Sequence, residues 1–341
     1  MTQPAFQPTP DDRVCVIIPM YRVAAHIQGV IRGLPDWVWR VVVVDDASPD
    51  DSAALALAVG DPRVVLVRNP RNLGVGGAVL AGFNAALAMG AALMVKMDGD
   101  GQMRPEYLER MVAPILAGRA NYVKGNRFYH THNIAQMPPM RRAGNMALSF
   151  MTKMASGYWN VFDPTNGYLA IDAQVFQELD QERIHPRYFF ESSMLVELNL
   201  ARAVVTEVTM PAHYAGEKSS LSLGRVLLEF PGLLVRGFLR RIWFQYFVLD
   251  FSVGSLLMVL GALMTLFGAV WGGIWWRNSI LTGRTASTGT VMLAALPLIL
   301  GFELLLQALI FDVQNTPRHM VERVPRRAQV EEAKEMERAN D

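Results

Sequence analysis

Residues 93–102 read Leu93-Met94-Val95-Lys96-Met97-Asp98-Gly99-Asp100-Gly101-Gln102. A short apolar run ends abruptly in two carboxylates one residue apart, with a glycine between them. The run is the length of a buried strand. Gly99 lets the backbone turn tightly and approach a ligand. Two carboxylates on such a turn reach a divalent cation or the water around it. Mg²⁺ and Mn²⁺ favour such hard oxygen ligands and are commonly completed by substrate phosphates. By itself Asp-Gly-Asp is also an ordinary turn composition, so its meaning depends on its surroundings.

Upstream the same pattern recurs. Val14-Cys15-Val16-Ile17-Ile18 is a strand ended by Pro19, and a helical stretch runs from about Ala24 to Leu34. Val41-Val42-Val43-Val44 is a second strand, closed by Asp45-Asp46-Ala47-Ser48-Pro49. Val64 to Val67 is a third, and an alanine-rich helix spans Gly76 to Gly90 before the strand at Leu93. Continuous β-branched runs alternating with helices predict an open, mostly parallel α/β sheet covered on both faces. In such sheets ligands bind beyond the carboxyl ends of the strands. Asp45, Asp46, Asp98 and Asp100 all fall there, which favours the metal reading of the turn.

The chain has 341 residues, with 32 Lys+Arg against 31 Asp+Glu. This near-neutral balance argues against a nucleic-acid partner. Its single cysteine, Cys15, rules out a disulfide framework within the chain and fits a reducing compartment. The six histidines show no ligand spacing, which predicts no zinc site. Residues 1–12 are polar and contain proline; they predict a flexible tail without a secretory signal.

The C-terminal third is different. Phe251 to Trp276 carries no charge and is long enough to cross a bilayer, with Trp271, Trp275 and Trp276 near its far end as an interfacial belt. Val291 to Phe311 is a second span, interrupted by Glu303 and Gln307. These share a helix face and predict bonding across helices or to another copy, hence a homo-oligomer. The short link implies a hairpin with both ends on one side. Arg236, Arg240 and Arg241 before it and the basic residues after Pro317 outnumber Arg277 and Arg284 in the link. The positive-inside rule therefore places the body of the protein and its tail in the cytoplasm. Leu221 to Phe247 reads as interfacial helices whose arginines snorkel to lipid headgroups, broken at Pro231-Gly232.

Taken in order, several stretches resemble a family 2 glycosyltransferase of the GT-A fold, more narrowly the dolichyl- and polyprenyl-phosphate glycosyltransferases. They are Val16-Ile17-Ile18-Pro19-Met20-Tyr21, Val43-Val44-Asp45-Asp46-Ala47-Ser48-Pro49-Asp50, Asn72-Leu73-Gly74 with Gly76-Gly77-Ala78, Asp98-Gly99-Asp100-Gly101-Gln102, Gly125-Asn126-Arg127-Phe128 and Thr165-Asn166-Gly167-Tyr168. The resemblance covers roughly residues 14 to 220. It implies a Rossmann-like GT-A domain over 13–220, juxtamembrane helices over 221–247, two transmembrane helices over 248–313 and a cytoplasmic tail over 314–341. It implies an integral membrane protein, in a bacterial inner membrane, that transfers a sugar from a nucleoside-diphosphate sugar to polyprenyl phosphate with inversion.

The resemblance also assigns roles. Pro19 and Tyr21 frame the base; Asp45 and Asp46 contact base or ribose; Asn72 and Gly76 shape the neighbouring wall. Asp98 and Asp100, with Gln102, hold Mg²⁺ or Mn²⁺ and the diphosphate. Arg127, Arg141, Arg142 and Asn145 face the lipid phosphate, arginine being suited to it because the planar guanidinium matches phosphate oxygens. Lys218, in a Gly216-Glu217-Lys218 loop, closes over phosphate. Glu191 stands where other family members place a base, or else simply opens a helix. Arg22-Val23 replaces the Asn-Glu common in the family, and Val75 replaces a common basic residue. Transfer to a hydroxyl of a lipid-linked glycan, or a non-catalytic membrane scaffold of the same fold, would use the same architecture.

Overall fold

The computed structural model describes residues 8–127, 139–211 and 223–320. Seven strands form one sheet: β1 (Val14–Met20), β2 (Arg40–Asp45), β3 (Val64–Arg68), β4 (Leu93–Lys96), β5 (Tyr122–Asn126), β6 (Leu169–Asp172) and β7 (Val205–Thr209). Their order is β3-β2-β1-β4-β6-β5-β7. β1 to β4 are mutually parallel, and β5 pairs in parallel with β7. β6 runs antiparallel to both of its neighbours, β4 and β5.

This reversal positions the site. Met20 pairs with Asp45, so β1 and β2 end at the same edge. Lys96, the last residue of β4, pairs with Leu169, the first of β6. Leu169 also pairs with Lys124 near the end of β5. Hence the loops leaving β1, β2, β4 and β5 and the loop entering β6 converge on one edge.

Strand alternation explains why the runs are apolar throughout. Cys15, Ile17, Val42 and Val44 enter a core on one face with Phe83, Phe176, Phe190 and Leu195. Val14, Val16, Ile18, Val41 and Val43 enter the opposite core with Ile27, Ile31, Met111 and Val112. The first face is covered by α3 (Val75–Met89), α6 (Ala173–Glu178) and α7 (Phe190–Leu200), the second by α1 (Ile27–Arg32), α2 (Ser52–Leu57) and α4 (Leu108–Leu116). Burial pushes the Cys15 thiol up to about 12, as expected of a core cysteine.

The helix α5 (Pro139–Ser156) and the middle of α8 (Leu223–Trp243) meet in a smaller cluster, where Ala155, Phe189, Phe230 and Leu234 are buried together. Here the structure corrects an expectation: α8 is continuous through Pro231. Proline removes one backbone hydrogen bond, but Phe230 and Leu234 on either side of it pack into the same cluster and hold the two halves in line.

The chain divides into two compact units, the second running from Leu239 to Thr316. It contains α9 (Val253–Thr282) and α10 (Thr288–Gln314), of 30 and 27 residues, both long and apolar enough to cross a membrane. Large apolar side chains such as Leu263, Phe267, Ile274, Ile299 and Phe302 are exposed on their outer faces. Arg241 does not snorkel; it is fully buried, with Nη1 and Nη2 donating to the two oxygens of Asp312 at 2.6 and 2.9 Å. Gln245 accepts from the same guanidinium at 3.0 Å, and the Tyr246 hydroxyl donates to Asp312 at 2.8 Å. The bidentate carboxylate 71 residues away outcompetes water for this arginine.

Candidate active site

Two walls rise from the convergent edge. The first is sewn from the loops after β1 and β2. Asp50 accepts from the Ser48 and Ser52 hydroxyls at 2.5 and 2.6 Å and from the Ala24 amide at 3.2 Å. The same hydroxyl oxygens accept from the Arg22 and Val23 amides. Burial works to raise the Asp50 carboxyl, but these bonds outweigh it and bring it down to about 2. Pro19 lies at the end of β1, and Tyr21 projects from the wall, 44% exposed, with the Arg22 guanidinium 5.4 Å from its ring. Asp45 accepts the Ser48 amide at 2.9 Å and remains half-buried.

Asp46 behaves differently from its neighbour. Adjacent positions at a strand end point opposite ways, and Asp46 turns inward, 2% exposed. Its carboxylate accepts from Asn69 Nδ2 at 2.8 Å and from the Leu73 and Gly74 amides at 2.9 Å each. It fastens the loop before α3, and Asn72 donates to its main-chain carbonyl at 3.3 Å. Asp46 is thus a structural clamp on the wall that holds Asn72 and Gly76.

That loop meets the segment entering α7. Gly74 has φ +85°, and a Cβ there would lie 2.8 Å from the Pro186 carbonyl. A Cβ on Gly76 would strike His185 O and lie 2.9 Å from the Phe190 Cβ. The Gly77 amide donates to the Pro186 carbonyl at 2.9 Å. The N-terminus of α3 therefore abuts the start of α7, where Glu191 stands half-buried in the first turn.

The second wall carries charge. The Gly99 turn rests on β1, where a Cβ would approach Ile18 and Val23 at 3.3 Å. Asp100 Oδ1 accepts the Gln102 amide at 2.9 Å, so Gln102 tightens the turn through its backbone. Lys96, only 1% exposed, donates its Nζ to Asp98 Oδ1 at 2.7 Å. Burial alone would lower the Lys96 ammonium; Asp98, Glu191 and Asp100 together reverse that, and the net shift is upward. Lys124, also buried, donates to the Asn166 carbonyl at 2.7 Å. Its ammonium is brought down to about 8 by burial, against the pull of Glu191, Asp163 and Glu207. Glu191 thus acts on both lysines from the start of α7.

Arg127 follows β5. Its Nε and Nη2 donate to Asp163 at 2.8 and 3.0 Å, and its amide donates to the same carboxylate at 3.2 Å. Asp163 is fully buried, and Glu207 accepts the Phe162 and Asp163 amides and Asn126 Nδ2. The guanidinium is thereby held at the edge, a third exposed. Arg141, Arg142 and Asn145 fall near the start of α5, with Arg142 exposed and Asn145 half-buried. Ser149 of that helix donates to the Phe162 carbonyl, tying it to the Arg127 wall. Lys218 lies outside the described residues.

The structure therefore joins Asp98, Asp100 and Glu191 around one polar centre and sets Pro19, Tyr21, Asp45, Asn72 and Gly76 along the adjoining wall. The burial of Lys96, Lys124 and Asp163 is not legible in the sequence. A lysine in an apolar run reads as surface-facing, because lysines are rarely buried unless paired.

The donor set for a cation is also explicit. Among the described residues, no three His, Cys, Asp or Glu side chains lie close enough to hold a metal by themselves. Asp98 and Asp100 offer hard oxygens on one turn. That fits Mg²⁺ or Mn²⁺ whose other positions are filled by phosphate and water.

Comparison with known proteins agrees with this architecture. Residues 15–180 match the profile of glycosyl transferase family 2. The undecaprenyl-phosphate mannosyltransferase of Micrococcus luteus is 33% identical over 53% of this chain and 76% of its own length. The UDP-N-acetylglucosamine–dolichyl-phosphate N-acetylglucosaminyltransferase of Methanococcus voltae is 26% identical over 60% of this chain and 87% of its own. The crystal structure of glucosyl-3-phosphoglycerate synthase from Mycobacterium tuberculosis with Mg²⁺ and UDP superposes with a TM-score of 0.50 at 19% identity, covering 67% of this chain and 79% of that one. At that identity the likeness shows a shared GT-A fold.

Proposed function

The chain belongs to glycosyl transferase family 2, and from that premise we propose that it moves a sugar from a nucleoside-diphosphate donor to polyprenyl phosphate, inverting the anomeric carbon. The observation that supports this most is the similarity to an undecaprenyl-phosphate mannosyltransferase across three quarters of that protein. In this reading Pro19, Tyr21 and Asp45 receive the nucleoside, a carboxylate being suited to hydroxyl or ring N–H donors. Asp46 holds the Asn72–Gly76 wall beside the donor through the Leu73 and Gly74 amides.

Asp98 and Asp100 would hold a divalent cation with the diphosphate, supplying Lewis-acid stabilisation of the leaving group. Arg127, kept in place by Asp163, and Arg141, Arg142 and Asn145 at the start of α5 receive the acceptor phosphate. That phosphate is already anionic near neutral pH, so its oxygen needs no general base. The protein's task is to bring two anions together and orient them. The acceptor oxygen forms a bond to the anomeric carbon as the bond to the diphosphate oxygen breaks, and the nucleoside diphosphate departs with the electron pair. Glu191 contacts the sugar. The hairpin of α9 and α10 anchors the protein in the membrane, with the catalytic unit on the cytoplasmic side.

A panel of labelled nucleotide sugars, offered with undecaprenyl phosphate and Mg²⁺ or Mn²⁺, tests the reading. Label should enter the lipid phase for at least one donor; none doing so defeats it. Asp100→Ala should lower transfer at least about 100-fold, on the scale of losing one preorganised electrostatic contact, while leaving membrane insertion intact.

A further inference from the structure

Lys96 is buried beneath the Asp98-Gly99-Asp100 turn, with its Nζ 2.7 Å from Asp98 Oδ1. A Cβ on Gly167 would collide with that Nζ and approach Asp98 Oδ2 at 3.3 Å. The turn before β6 therefore closes over the pair, and a Cβ at Gly167 would force the Lys96 ammonium to move. Asp100 and Glu191 also interact electrostatically with the same ammonium. A fixed positive charge thus lies under the two carboxylates that would hold a cation. In a poorly solvated site, two like charges sharing the same counter-ions weaken each other's binding.

We propose that Lys96 is a positioning residue that fixes one oxygen of Asp98 and weakens the site for a bare divalent cation, so that the cation enters and leaves as its complex with the donor diphosphate. This rests on the donor-and-metal reading above. The diphosphate supplies the negative charge that Lys96 has cancelled, and it fills the coordination positions that two carboxylates leave open. A site that binds cation only with nucleotide does not retain it after the product leaves.

The test uses the full-length protein in detergent and the neutral, similarly long Lys96→Met. Mn²⁺ alone, without nucleotide, is titrated by electron paramagnetic resonance. Lys96→Met should bind Mn²⁺ at least threefold more tightly than wild type, yet transfer sugar at least tenfold more slowly because Asp98 is no longer held. Those opposite signs are not produced by a loss of structure. A second pair, Gly167→Ala alone and combined with Lys96→Ala, reads the geometry by melting temperature. Gly167→Ala should destabilise the wild type and cost much less when Lys96 is already alanine.

Unchanged or weaker Mn²⁺ binding by a folded Lys96→Met overturns the inference while leaving the enzymatic reading intact. Wild-type transfer that persists in excess chelator overturns the metal reading, and the inference with it.

Discussion

Gly167 shows how much can depend on one missing methyl group. Its place is dictated by what lies opposite, the Lys96 ammonium and the Asp98 carboxylate. Gly167→Ala should cost about 1–3 kcal/mol, the range for overpacking a filled interior, measurable as a lower melting temperature. Asp50 makes a different prediction. Its folded carboxyl is held down at about 2 by the Ser48 and Ser52 hydroxyls and the Ala24 amide, against burial. An aspartate depressed on folding stabilises the native state above its unfolded value of about 3.9, and that contribution disappears as pH falls toward 2. Asp50→Asn should therefore melt below wild type at pH 6, and the gap should close between about pH 4 and pH 2. A gap that stays constant across that range would contradict the assignment. At this scale the sequence exposed the acidic residues but not their partners. Asp45 and Asp46 are neighbours in sequence with opposite directions in space, and a line of letters carries no direction.

Elements were legible in proportion to their apolar continuity. β1, β2 and β4 announced themselves because each is covered on both faces, and the half-buried edge strand β3 through its apolar run. β5 contains Lys124, Gly125 and Asn126, and β6 is only four residues long with an aspartate at its end. Neither resembles a buried strand, though both are fully inside the sheet, and their antiparallel pairing is invisible without the partner. The continuity of α8 is hidden from the sequence for a related reason. Proline's local penalty is visible in sequence, while the packing of Phe230 and Leu234 that overrides it is not. If that packing keeps α8 straight, Leu234→Ala should destabilise the first unit by about 2–5 kcal/mol. Hydrogen exchange should show the loss concentrated in α8 on both sides of Pro231.

Across the whole molecule, the two long apolar helices were evident from composition, yet the buried contact that organises the second unit was not. Arg241 and Asp312 are 71 residues apart and each looks like an ordinary end-of-helix charge. Removing one partner from a buried pair leaves an uncompensated charge and typically costs about 3–5 kcal/mol, whereas replacing both with apolar groups is often near neutral. Asp312→Leu should thus lower the melting temperature in detergent, and adding Arg241→Met should restore most of it. If the double variant is no better than the single one, the pair is not the source of the loss.

The seam between α9 and α10 has one more consequence. A Cβ on Gly261 would lie 3.0 Å from the Leu305 amide and 3.1 Å from the Gly301 carbonyl; on Gly268 it would lie 2.7 Å from the Ala294 carbonyl. The backbones are so close that even a methyl group does not fit between them. An isoprenoid chain is far thicker. Should the acceptor be polyprenyl phosphate, its hydrocarbon tail does not pass between the two helices at these glycines and runs along their outer faces. A photoreactive isoprenoid phosphate should then label outward residues such as Phe267 or Phe302 and leave Gly261 and Gly268 untouched.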